Sequence, residues 1–410
     1  MSRIAVIGGG VAAHTLVKSL VTAQQAQQAQ QEDAADAALT IDVFTTETHQ
    51  PYRRPEVNKG ILLDGKSPAD VALPAEIFET PGVTFHPGTA VTAVDLGGST
   101  RSLTAGGVTY PCDELVFATG AGPRLLEVEW LDGRDVHYVR TPEHAAAVRK
   151  RLLELTADET VVVIGGGVLG LEAASAAATL SRARVHVLEL ADEVCSRILP
   201  PTASRWLRDR HSEHGVTVTC GVSADSLPGT VDDLAPSVVI VSVGAVRDTM
   251  LAEDAGLPVG GGVGGGIIVD ERGRTSVPGI FAVGDCVEIH TTDGRILRPE
   301  DDGSARTMAG IVAAQLGGGD AATGAPAAAS FLDTPQKGWT KQYGHMLNIL
   351  GATGAGEGRT EHVVLDSADE LVVFTVSDAG AGATVVGVTT VGRSPGVRSA
   401  KNALGTVLAG

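Results

Sequence analysis

Apolar residues along the chain follow two periods. Residues 3–7 form a short apolar run that ends in three glycines, and from Val11 apolar positions recur at helical spacing. The same strand, turn and helix succession returns at residues 161–180, where VVVI leads through Gly165, Gly166 and Gly167 into VLGLEAASAAATL. Further apolar runs at 41–44, 115–119, 185–188, 238–243 and 279–283 read as buried strands. Residues 84–110 alternate apolar and polar positions between turn residues, which predicts antiparallel strands. A charged helix is expected at 143–155. From Trp339 onward the pattern is strands and loops, with a last helix near 399–408. Residues 22–38, TAQQAQQAQQEDAADAA, are low in complexity and read as an overgrown surface helix or a loop. The whole predicts an α/β fold: two doubly wound units plus a smaller C-terminal α+β part.

Composition narrows the class. The chain has 410 residues, 43% hydrophobic, 20% charged and only 3% aromatic, so its cores must be built from Val, Leu, Ile and Ala. A net charge of -18 argues against nucleic acid and anionic membrane as partners. Cys112, Cys195, Cys220 and Cys286 form no CxxC pair and no metal-ligand cluster, so no metal site is expected and the thiols fit a reducing, cytoplasmic setting. The first residues enter a strand pattern directly, without a signal-peptide pattern. The apolar run at 161–180 contains glycines and Glu172, which suits strand–turn–helix better than a membrane span.

Two turns carry the chemistry. Gly8, Gly10 and Ala13 form GxGxxA between a strand and a helix, where glycines allow close approach of a pyrophosphate to the helix N-terminus. Glu47 is the nearest acid after the second strand that could meet a ribose. Gly165, Gly167 and Gly170 form the second such motif, and Glu189 ends VHVLE at about the 20-residue spacing expected of a ribose-binding carboxylate. Asp192 and Glu193 follow, so a 2′-phosphate would meet negative charge and NADH is favoured over NADPH. Gly260, Gly262 and Gly265 also fit the spacing, but no helix pattern follows and a loop is expected. Two dinucleotide sites in one chain suggest a relay between a tightly held flavin and a diffusible nicotinamide.

These motifs, with Ala118, Thr119 and Gly120 after a strand and TSVPGIFAVGD at 275–285, resemble the two-dinucleotide-binding flavoprotein superfamily. The resemblance implies a glutathione-reductase-like arrangement of two Rossmann-like dinucleotide-binding domains. It implies an FAD-binding domain from 1–125 and 245–325, an NAD-binding domain at 126–244, and a C-terminal α+β domain at 326–410. Gly284 and Asp285 would then approach the FAD ribityl–pyrophosphate region. The narrower similarity is to NADH-dependent ferredoxin reductases of bacterial oxygenase and P450 systems. PYRRPEVNKGIL at 51–62, ATGAGPR at 118–124, VHVLELADEVCSRILP at 185–200 and GWTKQY at 338–343 carry it across essentially the whole chain. By that resemblance Arg54 and Arg124 would contact cofactor, Lys59 would lie near the reactive flavin edge paired with Glu172, and Trp339 would lie near the path from flavin to surface. Glu56, Asn58, Asp301–Gly303 and Lys341 depart from the family pattern.

The implied activity is NADH oxidation through FAD to a [2Fe-2S] ferredoxin or other redox protein, by a monomer or homodimer. Lys337, Lys341, Arg393, Arg398 and Lys401 supply local positive charge for an acidic partner. The alternative is a flavoenzyme acting directly on a small organic substrate, with Asn58 and Asp301–Gly303 opening space at the flavin. A non-catalytic flavin-binding protein is the third. No redox CxxxxC motif is present; Cys286 is read as structural, and His211 and His214 as part of a solvated helix face.

Overall fold

The structure is a computed structural model that describes residues 2–30, 39–97, 100–262, 264–317, 330–354, 356, 358–377 and 383–407. The elements that position the site are β1 (Arg3–Ile7), α1 (Val11–Gln30), β2 (Thr40–Phe44), β3 (Glu114–Phe117), α2 (Pro142–Glu154), β4 (Thr160–Ile164), α3 (Val168–Leu180), β5 (Arg184–Leu188), α4 (Pro201–Glu213), β6 (Val238–Val241), β7 (Ile280–Ala282), α5 (Asp302–Leu316), β8 (Lys337–Gln342) and β9 (His345–Gly351). The chain forms two compact units: Met1–Arg54, Ser67–Gly122 and Ala245–Thr334, and Pro55–Lys66, Pro123–Gly244 and Pro335–Gly410.

The first unit is built on a parallel sheet in the order β7, β3, β1, β2, Val83–His86. Counted in chain order within this sheet from the Val83–His86 edge, the strands run 3-2-1-4-5, the doubly wound arrangement, in which ligands bind at the carboxyl ends of the strands. Its core is aliphatic, as the low aromatic content requires: Val6, Leu16, Val43, Leu115 and Val312 are all fully buried. Each such side chain contributes roughly 1.5–3 kcal/mol by leaving water. One expectation is corrected here. Val83–His86 is a parallel edge strand beside β2, and only Val91–Asp95, Arg101–Ala105 and Val108–Cys112 form the antiparallel sheet. Alternation alone does not distinguish a parallel edge strand from an antiparallel one, since both bury one face. Helix α1 runs on to Gln30, so the low-complexity segment begins as helix, and residues 31–38 lie outside the described ones.

The second unit carries the other parallel sheet, in the order Val216–Thr219, β5, β4, β6, Val136–His137. Every residue of β4 is buried, as expected of a central strand covered on both faces. The C-terminal segment forms a five-stranded antiparallel sheet that opens with β8 and β9. Its last helix lies at Pro395–Ala400, earlier than the expected 399–408: the Ser394 side chain caps it, Pro395 starts it, and Gly405 at φ +81° turns the chain away.

Candidate active site

In the first unit the chain turns sharply after β1. Gly8 sits at φ +125°, and a Cβ there would lie 2.0 Å from the Ala118 carbonyl oxygen, so only glycine fits. At Gly10 a Cβ would meet nothing within 4 Å: the space before the first turn of α1 is open. Ala13 is fully buried one turn later, and Gly284 closes on Ala12, where a Cβ would be 3.2 Å from the Ala12 methyl. Thr119 Oγ1 donates to the Asp248 carbonyl at 2.5 Å, and Gly120 takes φ +77°. Arg54 donates to Glu47 Oε1 at 2.6 Å and stacks over Tyr52 with its Cζ 5.0 Å from the ring centre. Burial opposes the Arg54 charge, but Tyr52, Glu47 and Asp285 outweigh it and raise its pKa above the ordinary value. Arg54, Glu47 and Asp285 therefore share one charged neighbourhood beside the glycine turn.

The second unit repeats the device. Gly165 sits at φ +107°, with its would-be Cβ 2.2 Å from the Ser242 carbonyl oxygen, and a Cβ on Gly170 would be 2.0 Å from the Gly165 carbonyl. Gly167 caps α3 without a side-chain partner for the helix's free N–H groups, and a Cβ there would meet nothing within 4 Å. Glu189 follows β5 and faces this turn: its carboxylate accepts from the Gly166 N–H and, at 2.8 Å, from the Ala191 N–H. Each carboxylate oxygen keeps a further lone pair for a ribose hydroxyl. Arg208 is neutralised by Glu193 at 2.9 Å. Arg124 Nε is buried without a hydrogen-bond partner. The open space before the first turns of α1 and α3 fits the pyrophosphate of a dinucleotide.

Also in the second unit, Val57–Ile61 is a single π-helical turn, a form that often marks functional sites. It lifts Lys59 to Glu172 on α3, with Nζ and Oε1 2.7 Å apart and side chains 13% and 2% exposed. Thr340 Oγ1 on β8 donates to the same carboxylate oxygen at 2.7 Å. Asn58 Nδ2 stands 3.5 Å from the other oxygen. Lys59 Nζ lies 4.5 Å from the centre of the Trp339 ring, a cation–π distance. Arg149 on α2 anchors the segment by donating to the Leu62 and Leu63 carbonyls at 2.9 and 2.5 Å. Buried charge is tolerable here because it is paired and hydrogen-bonded.

Four side chains have tasks that the sequence did not reveal. His211 is fully buried, not part of a solvated face: its Nε2 lies 2.7 Å from Gln342 Oε1. Only His214 of the pair is exposed. The charged neighbours Arg208, Asp209 and Glu213 hid a stripe Ala203, Leu207, His211 at helical spacing that faces inward. Thr340 and Gln342 alternate with exposed Lys337, Trp339 and Lys341 along β8, a period-2 pattern that could have marked them as inward. Asp301 accepts from the Ser304 N–H as the N-cap of α5. All four cysteines are free; Cys286 is buried against the Val283 and Phe117 carbonyls at 3.3 and 3.7 Å. Burial pushes the thiols of Cys112 and Cys195 up to about 11 and about 12, which makes them poor nucleophiles. Among the described residues no His, Cys, Asp and Glu cluster could hold a metal ion, and no helix is long and apolar enough to cross a membrane.

Residues 2–315 match the family of pyridine nucleotide-disulphide oxidoreductases. The chain is 33% identical over 327 residues to a rubredoxin-NAD(+) reductase of Pseudomonas putida, covering 76% of this chain and 80% of that protein. It is 32% identical over 325 residues to another of that name from Ectopseudomonas oleovorans, covering 76% and 80%. Among solved structures it is similar to the reductase–partner complex of putidaredoxin reductase with putidaredoxin, at TM-score 0.78, 26% identity and coverage of 98% and 92%. The ferredoxin reductase for the CYP199A2 system of Rhodopseudomonas palustris gives TM-score 0.78, 28% identity and coverage of 96% and 92%. The chain therefore belongs to the pyridine nucleotide-disulphide oxidoreductase family and is an FAD-dependent NAD(P)H oxidoreductase.

Proposed function

We propose that this enzyme oxidises NADH and delivers the electrons to a [2Fe-2S] ferredoxin-type protein. The observation that carries the acceptor reading is the exposed face of β8. Lys337, Trp339 and Lys341 are exposed together, with Trp339 40% exposed, on a chain whose net charge is -18. A local cationic strip around an exposed indole suits an acidic protein partner, by steering and by aromatic contact. The relatives named for rubredoxin, putidaredoxin and a ferredoxin support an iron–sulfur acceptor.

Bound FAD would supply the chemistry of accepting a hydride from NADH and releasing electrons one at a time. The chain's own residues bind and orient. Gly8, Gly10 and Ala13 shape the first cradle, with Ala118, Thr119, Gly120 and Gly284 lining its approach and Asp285 and Arg54 supplying polar contacts. Gly165, Gly167 and Gly170 shape the second, with Glu189 for the ribose hydroxyls and Arg124 for a nucleotide oxygen. Lys59 supplies a positive charge and an N–H donor, Glu172 balances that charge inside the protein, and Trp339 stacks on the ammonium. The enzyme acts in the cytoplasm.

The acceptor is tested by stopped-flow reduction of a cognate [2Fe-2S] ferredoxin with NADH. The rate falls with ionic strength, and Lys337→Glu with Lys341→Glu lowers it at least about tenfold at low salt while flavin reduction by NADH is unchanged. Failure to reduce any such ferredoxin contradicts the acceptor and leaves the NADH half-reaction standing.

A further inference from the structure

A line of side-chain hydrogen bonds in the second unit runs from the ion pair to α4. Thr340 Oγ1 lies 2.7 Å from Glu172 Oε1, and Gln342 Nε2 lies 3.0 Å from Thr340 Oγ1. Gln342 Oε1 lies 2.7 Å from His211 Nε2, and His211 Nδ1 lies 3.0 Å from the Tyr343 hydroxyl. Glu172, Thr340, Gln342 and His211 are each 5% exposed or less, so bulk water competes for none of these bonds.

The position of every hydrogen in this line follows from its first member. A carboxylate paired with Lys59 has only lone pairs to offer, so the Thr340 hydrogen points at Glu172. The Thr340 oxygen then accepts from the Gln342 amide nitrogen. That turns Gln342 Oε1 toward His211, and an amide oxygen has no proton to give. His211 must therefore carry its proton on Nε2, which leaves Nδ1 to accept from Tyr343. The bonds thus leave α3, cross β8 and α4, and end on the hairpin that follows β8.

The hairpin holds Tyr343 in place at a conformational cost. Tyr343 and Gly344 take φ +49° and +83° in the two-residue connection from β8 to β9. That turn favours Asn, Asp or Gly at its first position. A tyrosine stays there because its hydroxyl meets His211 and its ring stacks on His214, with centroids 3.8 Å apart.

The geometry points to His211 as a positioning residue for Glu172: through Gln342 and Thr340 its neutral Nε2–H form fixes the carboxylate against Lys59. This rests on the reading of Lys59 and Glu172 as the charge pair that serves the flavin. Burial pushes the His211 imidazole down to about 4, which keeps the ring neutral at physiological pH. The titratable groups facing it are His214 on its own helix and Tyr343 on the hairpin.

Two measurements test this. Nitrogen-15 chemical shifts of the His211 ring in the FAD-loaded protein at pH 7 report the neutral Nε2–H tautomer; an Nδ1–H or protonated ring overturns the proposal. In stopped flow, Thr340→Val lowers the limiting rate of flavin reduction about tenfold with the NADH Kd within about twofold, since an isosteric methyl gives the carboxylate no donor. His211→Phe lowers the rate in the same sense, and His211→Gln, whose amide can still donate to Gln342, restores most of it. A His211→Phe enzyme that reduces at the wild-type rate overturns the proposal. If His211→Phe does not fold, His211→Gln and the wild-type tautomer decide. A protein that binds no FAD would remove the proposed function, yet its ring tautomer would still be measurable, so the two failures are distinct.

Discussion

Lys59 Nζ stands 2.7 Å from Glu172 Oε1, and the Glu172 side chain is 2% exposed. Removing one partner strands the other charge in a site with almost no water. Glu172→Leu is expected to lose about 3–5 kcal/mol of stability in urea denaturation, whereas Lys59→Met with Glu172→Leu recovers most of that loss. Neither variant recovers the rate of flavin reduction by NADH. Equal stability of the single and double variants would show that the pair is not energetically coupled.

The glycines of the two turns separate steric necessity from ligand space. Gly170→Ala places a methyl 2.0 Å from the Gly165 carbonyl oxygen, so α3 must shift. It is expected to raise the KM for NADH by more than about tenfold and to lower stability. At Gly10 the added methyl meets no protein atom within 4 Å. Gly10→Ala should fold with unchanged Tm in the FAD-free state and yet purify largely without flavin, because the methyl occupies space meant for phosphate. Full FAD occupancy in Gly10→Ala would contradict the assignment of that cradle.

Glu189 faces the second glycine turn through the Gly166 N–H. Glu189→Ala is expected to raise the KM for NADH about tenfold with little change in kcat, and to narrow the preference for NADH over NADPH. Steady-state kinetics with both nucleotides decide this; an unchanged KM places the ribose elsewhere.

The turns were legible because their requirements are local. A strand, Gly at a positive φ, and a helix N-terminus lie within a dozen residues, so Gly8, Gly10, Ala13, Gly165, Gly167 and Gly170 could be named from spacing alone. Lys59, Glu172 and Trp339 needed family resemblance, since the π-turn, α3 and β8 that bring them together are far apart in sequence. His211 was missed because charged residues surround it along the chain, while the contacts that bury it come from Gln342 and Tyr343, more than a hundred residues later. Val83–His86 was placed in the wrong sheet for a related reason: its partner β2 is fixed by the topology and not by its own pattern.

The buried imidazole also sets a pH limit on stability. Burial lowers the His211 pKa to about 4 from its ordinary 6.5, so between those values the unfolded chain binds a proton that the folded chain does not. Its contribution is complete above pH 6.5 and is lost as pH falls toward 4, by about 3 kcal/mol in all. His14 and His186, also lowered by burial, act in the same direction. Urea denaturation at pH 7 and pH 5 should therefore show a stability drop that is smaller in His211→Gln. An identical drop in the two proteins would mean that His211 is not the titrating group.

Anaerobic titration of the purified protein with NADH tests the central claim most directly. The expected result is a yellow protein, one FAD per chain, whose flavin absorbance bleaches to an endpoint at about one NADH per flavin. A colourless protein that no added FAD restores, or a bound flavin that NADH leaves unbleached, would contradict it.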